Sequence, residues 1–253
     1  SEGRLLTTNT WQGDPKEVST SNHHLVETRL LVKQTGGWDA ISYIWQGQEA
    51  YLSITGKLQR LTLANNKQLN YLIPSRNQCA SCHATNHTTK TIRPIGIKAR
   101  HLNRASNLYQ ANQLTHWQSK GMLQGVTRPV EANALWNDES ASIKHRARSY
   151  LDINCGHCHN AEGAADTSGL LLDYEDHPKS AMGYCKPPVA AGSGTGGRLY
   201  SIVPGHPAQS ILSFRLDTDN PAMMMPELGR SLIHKEGVEL VSAWIAELEG
   251  ECI

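Results

Sequence analysis

The sequence predicts an α+β protein, with an antiparallel β-rich N-terminal region and a mainly helical remainder. Two observations carry this expectation. Residues 24–73 break into short, partly alternating apolar runs punctuated by Gly-Gly, Gly and Asn-Asn. Later stretches at 107–123, 141–159 and 235–249 repeat apolar residues at helical spacing.

Taken in order, HLVETRLLVK, WDAISYIWQ, EAYLSITG, LQRLTLAN and QLNYLIP read as five strands of one antiparallel sheet with a wet face. Residues 107–123 read as a helix with Leu108, Ala111, Leu114 and Trp117 on one side, ended by Gly121 and Gly125. Residues 129–140 read as a linker. The next helix, 141–159, carries Ile143, Ala147, Tyr150 and Leu151 on one face. Residues 160–200 read as irregular. The terminal helix has Val238, Val241, Ile245 and Leu248 as its stripe. Three regions result: 1–75, 76–128 and 129–253.

Composition excludes more than it selects. The formal net charge is +1 with the signs mixed, so neither nucleic acid nor a membrane surface is indicated as partner. No apolar run approaches the roughly 18 residues of a spanning helix, and no charged-then-apolar leader opens the chain. There is a single phenylalanine, Phe214, so the core is either mostly aliphatic or partly filled by something other than protein.

The chemistry sits in the cysteines. Cys79-Ala-Ser-Cys82-His83 and Cys155-Gly-His-Cys158-His159 both read C-x-x-C-H, the attachment signature of c-type haem. Thiols three residues apart reach the two vinyl groups of one haem, and the histidine after the second lies under the ring to ligate iron. A C-x-x-C pair also serves redox disulfides and zinc sites. A shared zinc site would separate its pairs by about 72 residues, against roughly 15–20 in common ribbons. Neither alternative asks for His83 and His159. Two haems are therefore expected on Cys79, Cys82, Cys155 and Cys158, with His83 and His159 as iron ligands. Covalent haem attachment belongs outside the cytoplasm, where disulfides persist, so the remaining Cys185 and Cys252 are expected to pair. The run Gly192-Ser-Gly194-Thr-Gly196-Gly197 matches a dinucleotide pattern but follows no clear strand and precedes no helix. Its glycines are read as allowing tight turns or close approach to a haem edge.

Residues 141–253 resemble the class I cytochrome c fold: a helix ending in C-x-x-C-H, a loop, a methionine, then a crossing C-terminal helix. The resemblance implies that the methionine of Met225-Pro226 is the second axial ligand opposite His159, with Met223 and Met224 as runners-up. A neutral thioether there favours Fe(II) and raises the potential. The full chain resembles a family of bacterial two-haem c-type cytochromes, through YLIPSRNQCASCH, PIGIKARHLNR, ANQLTHW, YLDINCGHCH, YCKPPVAAGSGTGG and MMMPELGRSLIHKEGVELVSAWI. That resemblance implies an exported protein, periplasmic or at the cell surface, with a strand or lipid anchor upstream. Its implied partners are redox proteins such as an envelope dehydrogenase or a β-helix repeat protein.

The second ligand of the first haem stays open among His87, His101, His116 and Met122, with His101 the first choice. The histidine pair His23-His24 reads as solvent-exposed or hydrogen-bonded. Lys98, Arg100 and Arg104 are basic residues placed either to pair with haem propionates or to form a solvated face. The expected function is electron transfer between partner proteins. The alternative is a peroxidase-like di-haem enzyme with an open iron position at the first haem.

Overall fold

The computed structural model describes residues 25–63, 66, 68–106, 109–126, 129–189 and 191–253. His23 and His24 lie outside these, as does Leu108 of the predicted helical stripe. The fold is mixed α+β, with antiparallel sheets towards the N-terminus and helices beyond. The chain forms two compact units. One runs up to Cys79 and resumes over Pro94–Asn133; the other joins Ala80–Arg93 to Ala134–Ile253.

In the first unit, β1 (Glu27–Gln34), β2 (Gly37–Gln46) and β3 (Glu49–Ser53) form an antiparallel meander. β4 (Lys57–Thr62) and β5 (Gln68–Ile73) form a separate hairpin. The five predicted strands are present, but in two sheets rather than one. The break falls at Gly56, where φ is +72° and an added Cβ would sit 2.5 Å from the Ile73 carbonyl oxygen. Only glycine turns there without strain, so the chain leaves the first sheet instead of extending it. Val26, Ile44, Leu61, Leu69 and Ile73 draw on both sheets to make one core. Glu27 is buried in it and satisfied, accepting from Arg29 Nε at 2.9 Å and from the Tyr71 hydroxyl at 2.6 Å.

α1 (Arg76–His83) follows β5. It starts with a reciprocal capping box: Ser75 N–H donates to Gln78 Oε1 at 2.9 Å and Gln78 N–H to Ser75 Oγ at 3.3 Å. The single turn α2 (Ala99–Leu102) is followed by the short ladder of β6 (Ala105–Ser106) with β7 (Ala111–Asn112). α3 is Gln113–Ser119, shorter than the predicted 107–123. Asn112 sets its start, because its side chain accepts from the N–H groups of Leu114 and Thr115 and satisfies donors that a longer helix would pair internally. Its end matches expectation, with Gly121 at φ +68°.

In the second unit, α4 (Ile143–Asn154) is capped by Ser142 and stops just before Cys155. α5 (Ile211–Asp217) was not anticipated, and α6 (Lys235–Ala246) closes the domain. Ala147 and Leu151 of α4, Leu212 and Leu216 of α5, and Leu240, Val241, Trp244 and Ile245 of α6 form the core. Trp244, 1% exposed, is its largest fully buried side chain. A single phenylalanine is thus compatible with a packed interior, supplied by aliphatics and one tryptophan. Cys185 and Cys252 are joined by a disulfide that ties the C-terminus to the 183–186 turn. Among the described residues no helix is long and apolar enough to cross a membrane.

Candidate cofactor-attachment site

The two C-x-x-C-H motifs sit on different local scaffolds. The first is helical throughout, on α1, so Cys79 and Cys82 lie one turn apart on one face. Cys79 is buried, its Sγ 3.5 Å from the Ser75 carbonyl oxygen. The second begins where α4 ends: Cys155 is the C-cap, and the His159 N–H returns to the Cys155 carbonyl at 2.8 Å. Asn160 Nδ2 closes this turn by donating to the Gly156 carbonyl at 2.8 Å. Glycine is required inside it, since a Cβ at Gly156 would meet Asp173 Cα at 2.8 Å. Gly163 lies as tightly, with a hypothetical Cβ 2.3 Å from the Cys158 carbonyl oxygen.

Each motif histidine is oriented by backbone. His83 Nδ1 is 2.9 Å from the Arg93 carbonyl oxygen, and the Arg93 N–H donates back to the His83 carbonyl at 2.9 Å. His159 Nδ1 is 3.2 Å from the Leu170 carbonyl oxygen, while Leu172 N–H donates to the His159 carbonyl at 2.9 Å. A carbonyl can only accept, so each Nδ1 carries a proton, and in the neutral tautomer that this selects the lone pair is on Nε2. Burial pulls His159 down to about 4, outweighing the Leu170 carbonyl, which acts the other way. Its imidazole is therefore neutral at pH 7. Burial also pushes the Cys155 thiol up to about 12.

Cys82, Cys158 and His157 converge. Their ligand atoms all lie within 4.8 Å of one another. Hydrogen bonds from Cys158 and then His157 lower the Cys82 thiol, and the same proton sharing raises Cys158. His157 occupies a variable position of its motif, and no spacing rule singles it out.

The methionine loop is fastened to α5. Met223 and Met224 N–H groups both donate to the Asn220 carbonyl, at 2.9 and 2.8 Å. Met225 N–H donates to the Arg215 carbonyl at 2.9 Å, and Arg215 Nε donates to the Met223 carbonyl at 2.9 Å. Arg230 reinforces the same corner through the carbonyls of Arg215 and Leu216. Met224 is buried, whereas Met223 and Met225 are half-buried. Arg215 is near enough to His159 for its charge to oppose protonation of the imidazole, and Glu227 is near enough to Cys158 for its charge to oppose ionisation of the thiol. The loop therefore lies beside the second motif. The glycine-rich run serves this arrangement. A Cβ at Gly194 would meet the Arg215 guanidinium carbon at 3.1 Å, and one at Gly196 the Phe214 ring at 2.5 Å.

The remaining predicted residues have ordinary protein surroundings. Arg100 donates to Asn133 Oδ1 at 2.9 Å and pairs with Glu131 at 2.9 Å. Lys98 is the half-buried N-cap position of α2, His101 lies half-buried within α2, and Arg104 is exposed. His87 pairs with Asp166 at 2.7 Å, His116 stacks on Tyr109 with centroids 4.0 Å apart, and Met122 is 71% exposed. An open cavity of about 550 Å³ beside Cys252, lined by Arg198, Tyr200, Pro204 and His206 among others, contains no motif residue.

The donor set fits a covalently bound haem. It provides thiols at the attachment spacing, two imidazoles held by backbone carbonyls at Nδ1, and a thioether loop beside the second motif. Comparison of the chain with protein-family models, curated proteins and solved structures gave no match.

Proposed function

We propose that this chain is a di-haem c-type cytochrome that passes electrons in the bacterial envelope. One observation carries the reading: both motif histidines have Nδ1 committed to a backbone carbonyl, leaving Nε2 to ligate. A histidine ligand is commonly fixed in this way, its other ring nitrogen donating to a carbonyl or carboxylate. Nothing about a surface histidine requires it twice, each time directly after C-x-x-C.

Cys79 and Cys82 hold one haem and Cys155 and Cys158 the other. Each thiol adds across a vinyl group, its hydrogen passing to the vinyl carbon, so the thioether forms without net oxidation. Haem iron, when bound, supplies one-electron cycling between Fe(III) and Fe(II). The chain contributes the rest. With haem bound, His83 and His159 would ligate its iron, and Met225 would offer a neutral sulfur that favours the reduced state. The Cys185–Cys252 disulfide supports an exported, periplasmic or cell-surface location. The partners would be redox proteins of that compartment, such as an envelope dehydrogenase or a β-helix repeat protein.

The test is expression with a haem-attachment system, followed by intact mass and pyridine haemochrome titration. The expected result is two covalent haems per chain, falling to one when both cysteines of either motif become alanine. A chain that matures with no covalent haem sinks the proposal. A second reading rests on the convergence of Cys82, His157 and Cys158 within 4.8 Å, which suits a soft divalent metal ion with one open position. One zinc per purified chain and no haem would favour it.

A further inference from the structure

The two attachment motifs are far apart in sequence, and the part of the first from Ala80 to His83 lies in the same unit as the second. Cys82 Sγ, Cys158 Sγ and a His157 ring nitrogen lie within 4.8 Å of one another. Cys158 Sγ is also 3.6 Å from the Ser81 carbonyl oxygen. The segments that follow the motifs are tied together independently of the sulfurs. His87 N–H donates to the Glu162 carbonyl at 2.9 Å, and His87 Nδ1 meets Asp166 Oδ2 at 2.7 Å. Thiol, backbone and ion-pair contacts thus fix one register between the motifs.

We infer that the motifs are built as a pair, so that the groups attached to them exchange electrons directly with each other. This rests on the haem reading above. Each sulfur is one bond from the vinyl carbon of its own haem. The 4.8 Å limit between the sulfurs then brings the two vinyl carbons within roughly 9 Å, allowing about 2 Å for each bond to sulfur. The sulfurs lie within 4.8 Å of each other, beside the ring of His157. An electron leaving one iron arrives at the other and no co-reactant is needed. The chain would therefore act as one relay, passing single electrons from one iron to the other, rather than as two independent carriers.

Two measurements test this. In the full chain made without haem and carrying Cys79→Ala and Cys155→Ala, Cys82 and Cys158 are the free thiols left. Diamide takes two electrons and two protons from them and becomes the hydrazine. The expected product is a Cys82–Cys158 disulfide in the peptide map of most molecules, alongside the intact Cys185–Cys252 link that reports folding. Two thiols that remain open to alkylation while that link is intact overturn the pairing, whatever the haem content. In the haem-loaded wild type, the Soret circular dichroism should show a two-signed couplet. It should become one-signed when Cys155→Ala and Cys158→Ala leave a single haem. Two bound haems whose spectrum is the sum of separate one-signed bands also overturn it. A chain that takes up no haem refutes the haem reading instead, and the cross-link then decides the pairing alone.

Discussion

Gly237→Ala sets two effects of known size against each other. Gly237 is buried on α6 and faces α4. A Cβ there would lie 2.3 Å from the Tyr150 hydroxyl oxygen, 2.4 Å from ring carbon Cζ and 2.6 Å from His234 Nδ1. Carbon contacts settle near ~3.5 Å or beyond, so the Tyr150 ring must retreat by roughly 1 Å. That overpacking costs ~1–3 kcal/mol. The retreat also breaks the 3.1 Å hydrogen bond between Tyr150 and His234, worth ~0.5–1.5 kcal/mol. Alanine gains at most ~1 kcal/mol of helix propensity over glycine. The clash wins, and the net loss is ~1–3 kcal/mol, a fall in Tm of roughly 2–12 °C for a chain of this size. Thermal unfolding followed by far-ultraviolet circular dichroism reads it directly. An unchanged or higher Tm would refute the packing argument. In a Tyr150→Leu background the obstacle is smaller, and Gly237→Ala should cost less than in wild type or become stabilising.

Three further outcomes are expected. Replacing Cys185 and Cys252 together by serine opens a loop of 67 residues. Chain entropy puts the loss at ~4 kcal/mol, and urea midpoints that do not move would contradict it. In the haem-free chain His159 has its folded value lowered to about 4, against ~6.5 unfolded. The unfolded state therefore binds more protons between these values. Stability should be flat above pH ~6.5 and fall as pH drops through the window towards 4. His159→Gln should flatten that fall in pH-dependent urea melts, and parallel curves for the two proteins would count against the buried neutral imidazole. In the haem-loaded protein Met225→Ala should lower the potential of one haem and remove the near-infrared sulfur-to-iron band. A band that survives would move the ligand assignment to another residue.

Much of the local structure was legible because local chemistry dictates it. Ser75 and Gln78 spell a capping box for α1, and Ser142 marks the start of α4. Asn112 carried an equally readable cap, and overlooking it made the predicted helix too long. The stripes Ala147/Leu151 and Val241/Ile245 face the core as their spacing predicts. α5 was missed because its apolar residues Ile211, Leu212 and Leu216 span only two turns, too short for a period to emerge. The single five-stranded sheet was wrong for a reason no strand pattern contains: Gly56 packs against the end of β5.

The sequence by itself determined the chemistry on offer. It placed two thiols and a histidine at attachment spacing twice, two further cysteines, and a methionine before proline. Those are covalent facts about neighbours along the chain. Only the tertiary structure decided that Arg93 and Leu170 supply the carbonyls that aim His83 and His159. Only it brought Cys82 to Cys158 and made His157 part of the same cluster. It also decided that the glycine-rich run makes room for the side chains of Arg215 and Phe214. The physical reason is common to all of these. Backbone carbonyls carry no sequence signature, and a contact across some seventy residues is set by the packing of the whole core, which no local window of residues contains.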